Sequence, residues 1–238
     1  MQYILGIDIG GTKITSAMVD KNNNLSDERT VKTSQTDLLS QLEELIRSYQ
    51  GFMGIGLGVP GDVDSSGMIE KLSNVKHFPS INLKQHLKQR FGLPISVIND
   101  AEAFTLAEAR VGAGKGFGKV LGVTLGTGLG AGFVEGERHL DAGIELRREL
   151  SDAESEMQSL SQVKHAQEYR ELFIKLLSKI AELYHPDIII FGGTRSQVPG
   201  MQEILDECWK TVSNQPQQIR VSTLKSAGVI GAASLLNK

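Results

Sequence analysis

One short pattern, occurring twice about half a chain apart, constrains the fold more than any other feature of these 238 residues. The first copy reads Gly6-Ile7-Asp8-Ile9-Gly10-Gly11-Thr12-Lys13-Ile14-Thr15-Ser16-Ala17-Met18-Val19-Asp20. The second reads Gly122-Val123-Thr124-Leu125-Gly126-Thr127-Gly128-Leu129-Gly130-Ala131-Gly132-Phe133-Val134-Glu135. Each is an apolar run, a tight Gly/Thr turn, a second apolar run and an acidic residue. In a Rossmann fingerprint or a Walker loop such glycines lead into a helix whose N-terminus holds phosphate. Gly126, Gly128 and Ala131 fit a permissive G-x-G-x-x-A spacing, but the residues after Gly130 are too glycine-rich and β-prone to open a helix. Ile14 to Val19 alternates like a half-buried strand, and no G-x-x-x-x-G-K-[ST] run exists. Both turns therefore read as β-hairpin turns. An ordinary hairpin does not need the glycines at 126, 128, 130 and 132. Two such turns suggest one phosphate chain gripped from two sides.

A second repeat lies beneath the first. Met53 to Gly61 is an apolar strand ending in a glycine turn, and Ile188-Ile189-Ile190-Phe191-Gly192-Gly193-Thr194 is its counterpart. Strands are expected at 2–9, 13–20, 27–33, 53–58, 95–98, 119–125, 131–136, 187–191 and 219–222. Helices are expected at 37–50, 82–91, 101–111, 200–213 and 226–237, with a long helical stretch over 152–184. In that stretch Leu172, Phe173, Leu176, Leu177, Ile180 and Leu183 form a core-facing stripe. Each half runs hairpin, helix, strand, Gly turn, helix. The expectation is an α/β protein of two duplicated lobes with a ligand cleft between them. The lobes are residues 1–112 and 113–225, with 226–238 packing back on the first. Gly112, Gly114, Gly116 and Gly118 read as a hinge. Turns at strand ends are where α/β sheets take ligands.

Bulk properties narrow the function. A net charge of −3 gives no footprint for nucleic acid. No apolar run is long enough to span a membrane, and no signal peptide is evident. The single cysteine, Cys208, excludes internal disulfides and Cys-based zinc, and fits a cytoplasmic protein.

A phosphoryl-transfer site needs donors for phosphate oxygens, a carboxylate for the metal and a base for the acceptor. The first turn offers backbone N–H groups at Gly10, Gly11, Thr12 and Lys13, the Thr12 hydroxyl and the Lys13 ammonium. The second offers Gly126, Thr127, Gly128 and Gly130. Asp8 lies inside an apolar strand, where an unpaired carboxylate is costly; Mg²⁺ held largely through water would account for it, as would capping of its own turn. Asp100 projects from the end of strand 95–98 as a general base would, yet Asn99 or Asp100 could equally be the N-cap of helix 101–111.

At these residues the chain resembles the ROK family of bacterial sugar kinases, within the actin-like, hexokinase-like (ribonuclease H-like) fold. The matching pieces are Asp8-Ile9-Gly10-Gly11-Thr12-Lys13, Gly58-Val59-Pro60-Gly61, Asn99-Asp100-Ala101-Glu102-Ala103, Gly126-Thr127-Gly128-Leu129-Gly130-Ala131-Gly132 and Gly192-Gly193-Thr194, closing with Gly228-Val229-Ile230-Gly231-Ala232-Ala233. The resemblance implies ATP-dependent phosphorylation, with Mg²⁺, of a hexose or N-acetylhexosamine; the alternative it leaves open is a degenerate sugar- or nucleotide-binding member or regulator without turnover. It makes Asp100 the base, Asn74, Asn99 and Glu145 sugar ligands, and Gly192, Gly193 and Thr194 neighbours of the adenosine. Many relatives are homodimers.

One segment departs from the family. Where it carries Glu-Ile-Gly-His or Glu-Leu-Gly-His, this chain has Glu145-Leu146-Arg147-Arg148, and no cysteines follow. Glu145 keeps the sugar carboxylate, and zinc is not expected. The zinc-free polyphosphate glucokinases of the family are similarly short, which admits polyphosphate as donor. Arginine only donates and is always charged, so it does not replace a neutral imidazole. The pair is either a solvated basic stretch or a contact for an anionic group.

Overall fold

The computed structural model describes residues 2–64, 66–72, 75, 78–126, 128–143, 145–146, 166–212 and 218–237. The chain divides into two compact units, Met1–Ala103 with Ser226–Lys238, and Phe104–Lys225.

The first unit is built on a five-stranded sheet. Its strands are β1 (Tyr3–Ile9), β2 (Lys13–Asp20), β3 (Leu25–Lys32), β4 (Phe52–Val59) and, after a small separate sheet, β8 (Ile95–Asn99). Their order is β3-β2-β1-β4-β8. β1–β2 and β2–β3 are antiparallel, while β1–β4 and β4–β8 are parallel. The small sheet comprises β5 (Gly61–Val63), β6 (Met68–Leu72) and β7 (Ile81–Asn82). Helix α1 (Leu38–Arg47) starts where Asp37 accepts from the Ser40 N–H. Helix α2 (Leu83–Phe91) starts where Asn82 accepts from the Gln85 N–H and stops at left-handed Gly92. Leu42 and Ile46 of α1 and Leu83 and Leu87 of α2 bury their apolar faces with Leu5, Ile7, Ile9 and Leu57. Helix α3 (Asp100–Val111) follows β8 directly, and the unit boundary falls inside it.

The second unit repeats this plan. Its sheet orders β11 (Arg138–Asp141), β10 (Leu129–Glu135), β9 (Lys119–Leu125), β12 (Ile188–Gly192) and β13 (Gln218–Val221). Again two antiparallel pairings are followed by two parallel ones. Helix α4 (Arg170–Leu183) buries Leu172, Phe173, Leu176, Leu177 and Ile180 on this sheet, as the stripe predicts, while Leu183 is partly buried. Helix α5 (Met201–Trp209) adds Ile204, Leu205 and Cys208. Helix α6 (Ala227–Ser234) belongs to the first unit, where Val229 and Ala233 join Ile4, Ala17 and Val19 in a core cluster.

Most expected elements form within a few residues of their expected bounds. The sequence reading missed β5, β6, β7 and β11; none carries the apolar run that marks β8 and β12, which are no longer than five residues themselves. Of the helical stretch expected over 152–184, the helix begins at Arg170 after a 3₁₀ turn at Ala166–Tyr169, and 152–165 lie outside the described residues.

Candidate active site

Both glycine turns are hairpins. β1 pairs β2 down to Ile9↔Ile14, and the turn closes with the Gly10 N–H donating to the Lys13 carbonyl at 2.9 Å. β9 pairs β10 down to Leu125↔Leu129, and the Gly126 N–H donates to the Gly128 carbonyl at 3.0 Å. A side chain at Gly126 would meet no described atom within 4 Å. Packing thus gives no reason for that glycine, and the space beside it is open to a ligand.

In the first unit the parallel strands bring their C-terminal ends together. Asp8 on β1 pairs with Gly58 on β4, and Val59 pairs with Asn99 on β8. A Cβ on Gly58 would lie 3.6 Å from Asp8 Oδ1 and 3.7 Å from the Cα of Asp100. The Ala103 methyl would be nearer still, at 3.4 Å, so Gly58 lies against the Asp8 carboxylate, the Asp100 backbone and Ala103. Asp8 is half-buried; burial pushes its carboxyl up to about 6, while Lys13 pulls it the other way. The start of α6 encloses it further, since a Cβ on Gly228 would fall 2.5 Å from its Cγ.

The structure also divides the labour between Asn99 and Asp100. Asn99 is 6% exposed. Its Oδ1 accepts from the N–H groups of Ala101 at 2.8 Å and Glu102 at 3.2 Å, and its Nδ2 donates to the Gly61 carbonyl at 3.1 Å. Asn99 therefore caps α3. The Asp100 Oδ1 shares the Ala101 N–H at 2.9 Å, and the residue keeps partial exposure at the helix N-terminus, where its negative charge is favoured.

In the second unit Gly192 pairs with Thr124, and Gly193 takes a left-handed φ of 85° before a 3₁₀ turn at Thr194–Gln197. Gly193 and Thr194 are exposed. Gly192 is buried, and a Cβ there would lie 2.4 Å from the ring of Phe104. Packing alone therefore requires that glycine. Glu145 is exposed and accepts from the Tyr184 hydroxyl at 2.5 Å. Burial first, and the Glu145 hydrogen bond second, hold the Tyr184 phenol protonated well above its usual range, so it remains a donor. The Phe133 ring packs against Tyr184 at 5.4 Å between centroids.

Among the described residues no three His, Cys, Asp or Glu side chains cluster as a metal site. Asp8 alone suits a cation that keeps its waters and takes other ligands from phosphates. Asn74, Thr127, Arg147 and Arg148 lie outside the described residues. Among the described residues no helix is long and apolar enough to cross a membrane. The sequence reading missed the role of Tyr184, and of Gly228 as the neighbour of Asp8. A tyrosine just before His185-Pro186 carries no local signal, and Gly228 was visible only as part of the closing glycine motif.

A duplicated sheet with a glycine hairpin in each copy, and acids at the parallel strand ends of the first, defines the actin-like, hexokinase-like class of folds. Residues 4–145 match the model of the ROK family, and the chain belongs to that family. It is 35% identical over 126 residues to a glucokinase of Streptomyces coelicolor, covering 49% of this chain and 38% of that enzyme. The chain thus spans well under half the length of that curated relative. It is 27% identical over 243 residues to a polyphosphate glucokinase of Mycobacterium tuberculosis, covering 96% of this chain and 89% of the relative. Among solved structures, an inorganic polyphosphate/ATP-glucomannokinase from an Arthrobacter species is 27% identical. Its TM-score is 0.76, with 99% of this chain and 98% of that one covered.

Proposed function

We propose that the protein transfers the terminal phosphoryl group of ATP to a hydroxyl of a hexose or N-acetylhexosamine. The observation that carries this reading is the approach of the Asp8 carboxylate and the Asp100 backbone to the same residue, Gly58, at the ends of parallel strands, with Asn99 taking over the helix cap. Asp100 accepts the proton of the sugar hydroxyl as its oxygen bonds the terminal phosphorus. The bond from that phosphorus to the bridging oxygen breaks, and ADP leaves with the bridging electrons. Asp8 would hold Mg²⁺, which would supply positive charge to the donor phosphates. The turn from Gly10 to Lys13 and the turn at Gly126, Thr127 and Gly128 bind donor phosphates, while Gly193 and Thr194 lie against the adenosine, with Gly192 shaping the turn. Glu145 and Asn74 bind the sugar, and Asn99, engaged by its cap, offers it the second hydrogen of Nδ2.

The near full-length match to a polyphosphate glucokinase favours polyphosphate as a second donor. An ADP-release assay over a panel of hexoses and N-acetylhexosamines, run beside a sugar-phosphate assay with polyphosphate, tests both donors. Asp100→Asn should lower kcat by roughly 10²- to 10⁴-fold while the melting temperature falls by no more than about 4 °C, the value of one charge at a helix N-terminus. Full activity in that variant, or no turnover with any pair, would overturn the reading.

A further inference from the structure

Three consecutive carbonyls of the first glycine turn are bonded to one neighbouring segment. The Thr33 hydroxyl donates to the Gly10 carbonyl at 2.7 Å. Gln35 Nε2 donates to the Gly11 carbonyl at 2.9 Å. The Thr33 N–H donates to the Thr12 carbonyl at 3.0 Å. Thr33 follows β3 and is 2% exposed, so its hydroxyl is a buried donor that an unmet bond would penalise. The segment is itself anchored to α1: Gln41 accepts from the Ser34 N–H and donates to the Lys32 carbonyl, each at 2.8 Å.

Peptide planarity carries this further. The described chain has no cis peptide, so each N–H points opposite to the carbonyl of the residue before it. With the carbonyls of Gly10, Gly11 and Thr12 turned towards Thr33 and Gln35, the N–H groups of Gly11, Thr12 and Lys13 face the other way. Successive amides turned to one side make a concavity for an anion. A second observation agrees: Lys13 stands directly across from Lys32 in the β2–β3 ladder, and both are exposed. Like charges placed so are unfavourable unless an anion joins them.

We propose that Thr33 and Gln35 are positioning residues: they fix the carbonyls of the turn and thereby present the amides of Gly11, Thr12 and Lys13 to phosphate oxygens of the donor. The proposal rests on the phosphoryl-transfer reading and assigns the shape of its first phosphate turn to two side chains outside that turn.

Thr33→Val keeps the side-chain shape and the backbone bond but removes the hydroxyl; Gln35→Leu removes the amide; Thr33→Ser restores the hydroxyl. Backbone hydrogen exchange at the bonded amides of Gly10 and Thr33 is measured on the full chain without ligand. Affinity for a non-hydrolysable ATP analogue with magnesium, affinity for inorganic polyphosphate and KM for the sugar are measured beside it. Each disruptive variant should speed exchange in the turn and weaken donor binding about five- to tenfold, the value of one hydrogen bond. Sugar KM should stay within about twofold, and Thr33→Ser should behave as the parent. Unchanged exchange in both variants overturns the proposal, as does faster exchange with unaltered donor affinity or an equal loss for donor and sugar. If Thr33→Val does not fold, Gln35→Leu carries the same test. A parent protein that binds neither donor counts against the kinase reading, and the exchange data then judge the clamp alone.

Discussion

The contact between Gly228 and Asp8 permits a demanding test of how the site is built. A methyl group at position 228 would stand 2.5 Å from both Cγ and Oδ2 of Asp8 and 2.9 Å from Oδ1. Relieving this needs about 1 Å of movement, because carbon contacts settle near 3.5 Å. The Asp8 backbone is held between β2 and β4 through its pairings with Thr15 and Gly58. Helix α6 is also restrained, since Gly56 and Gly231 already bring backbone to backbone around it. The easiest response is rotation of the Asp8 side chain out of its position. Overpacking of this kind costs about 1–3 kcal/mol. A displaced carboxylate should lower kcat about 10²-fold or more. The decisive experiment is a double-mutant cycle by urea denaturation, using the parent, Gly228→Ala, Asp8→Ala and the double variant. Asp8→Ala vacates the space the new methyl needs, so Gly228→Ala should then cost under about 0.5 kcal/mol, a coupling of roughly 1–3 kcal/mol. Additive effects, or full activity in Gly228→Ala, would refute the argument.

Asp8 itself should trade stability for function. Its folded carboxyl lies at about 6 against an ordinary 3.8, so the folded chain holds the proton more tightly than the unfolded one. Stability attributable to this group is full below the ordinary value, falls as pH rises towards about 6, and stays reduced above it. In chelator at about pH 7.5, Asp8→Asn should be more stable by roughly 1–3 kcal/mol, yet inactive with magnesium present, where the parent turns over; a lower melting temperature than the parent would contradict this. Glu43 has the opposite sign. Its hydrogen bond to His86 comes first, with bonds to Arg47 and Arg90, and these hold its carboxyl down to about 2 from 4.5. That stability is present above 4.5 and lost as pH falls towards about 2. Both arginines are largely exposed, so Glu43→Gln should cost only about 1–2 kcal/mol at neutral pH and flatten the acid limb of a stability–pH curve; an unchanged acid limb would rule this out. Tyr184→Phe removes the donor to Glu145 and should raise sugar KM about three- to tenfold with donor KM unaltered. Unaltered kinetics for both substrates would detach Glu145 from the sugar.

The hairpins were legible because strand alternation and glycine turns are local signals. Laid over one another, the two copies set Asp8 at the place of Thr124, and the registers agree: Asp8 pairs Gly58, and Thr124 pairs Gly192. The choice between Asn99 and Asp100 as helix cap was not legible, since adjacent Asn and Asp have the same capping chemistry and differ only in where their oxygens point. The Gly228 contact was out of reach too. It joins β1 to a helix more than two hundred residues later, and no local pattern encodes that meeting. The glycine run from 112 to 118 reads as hinge chemistry, yet Gly112 lies against Glu108 and Gly114 against Val120, so close packing also demands those two. Glycine in a sequence does not tell freedom from crowding.

The two copies of the fold diverge at one paired position. In the first, Gly58 lies against the Asp8 carboxylate, whose burial raises its pKa and costs stability once it is ionised. In the second, the space at Gly192 is filled by the Phe104 ring, and Thr124 stands where Asp8 would be. An aromatic ring contributes buried area and needs no partner, whereas a half-buried carboxylate without a cation is a standing penalty. A fold under selection for stability alone would treat both positions as the second copy does. On the proposed reading, the unfavourable arrangement in the first copy serves phosphoryl transfer and not stability, and the Asp8→Asn comparison above tests that assignment.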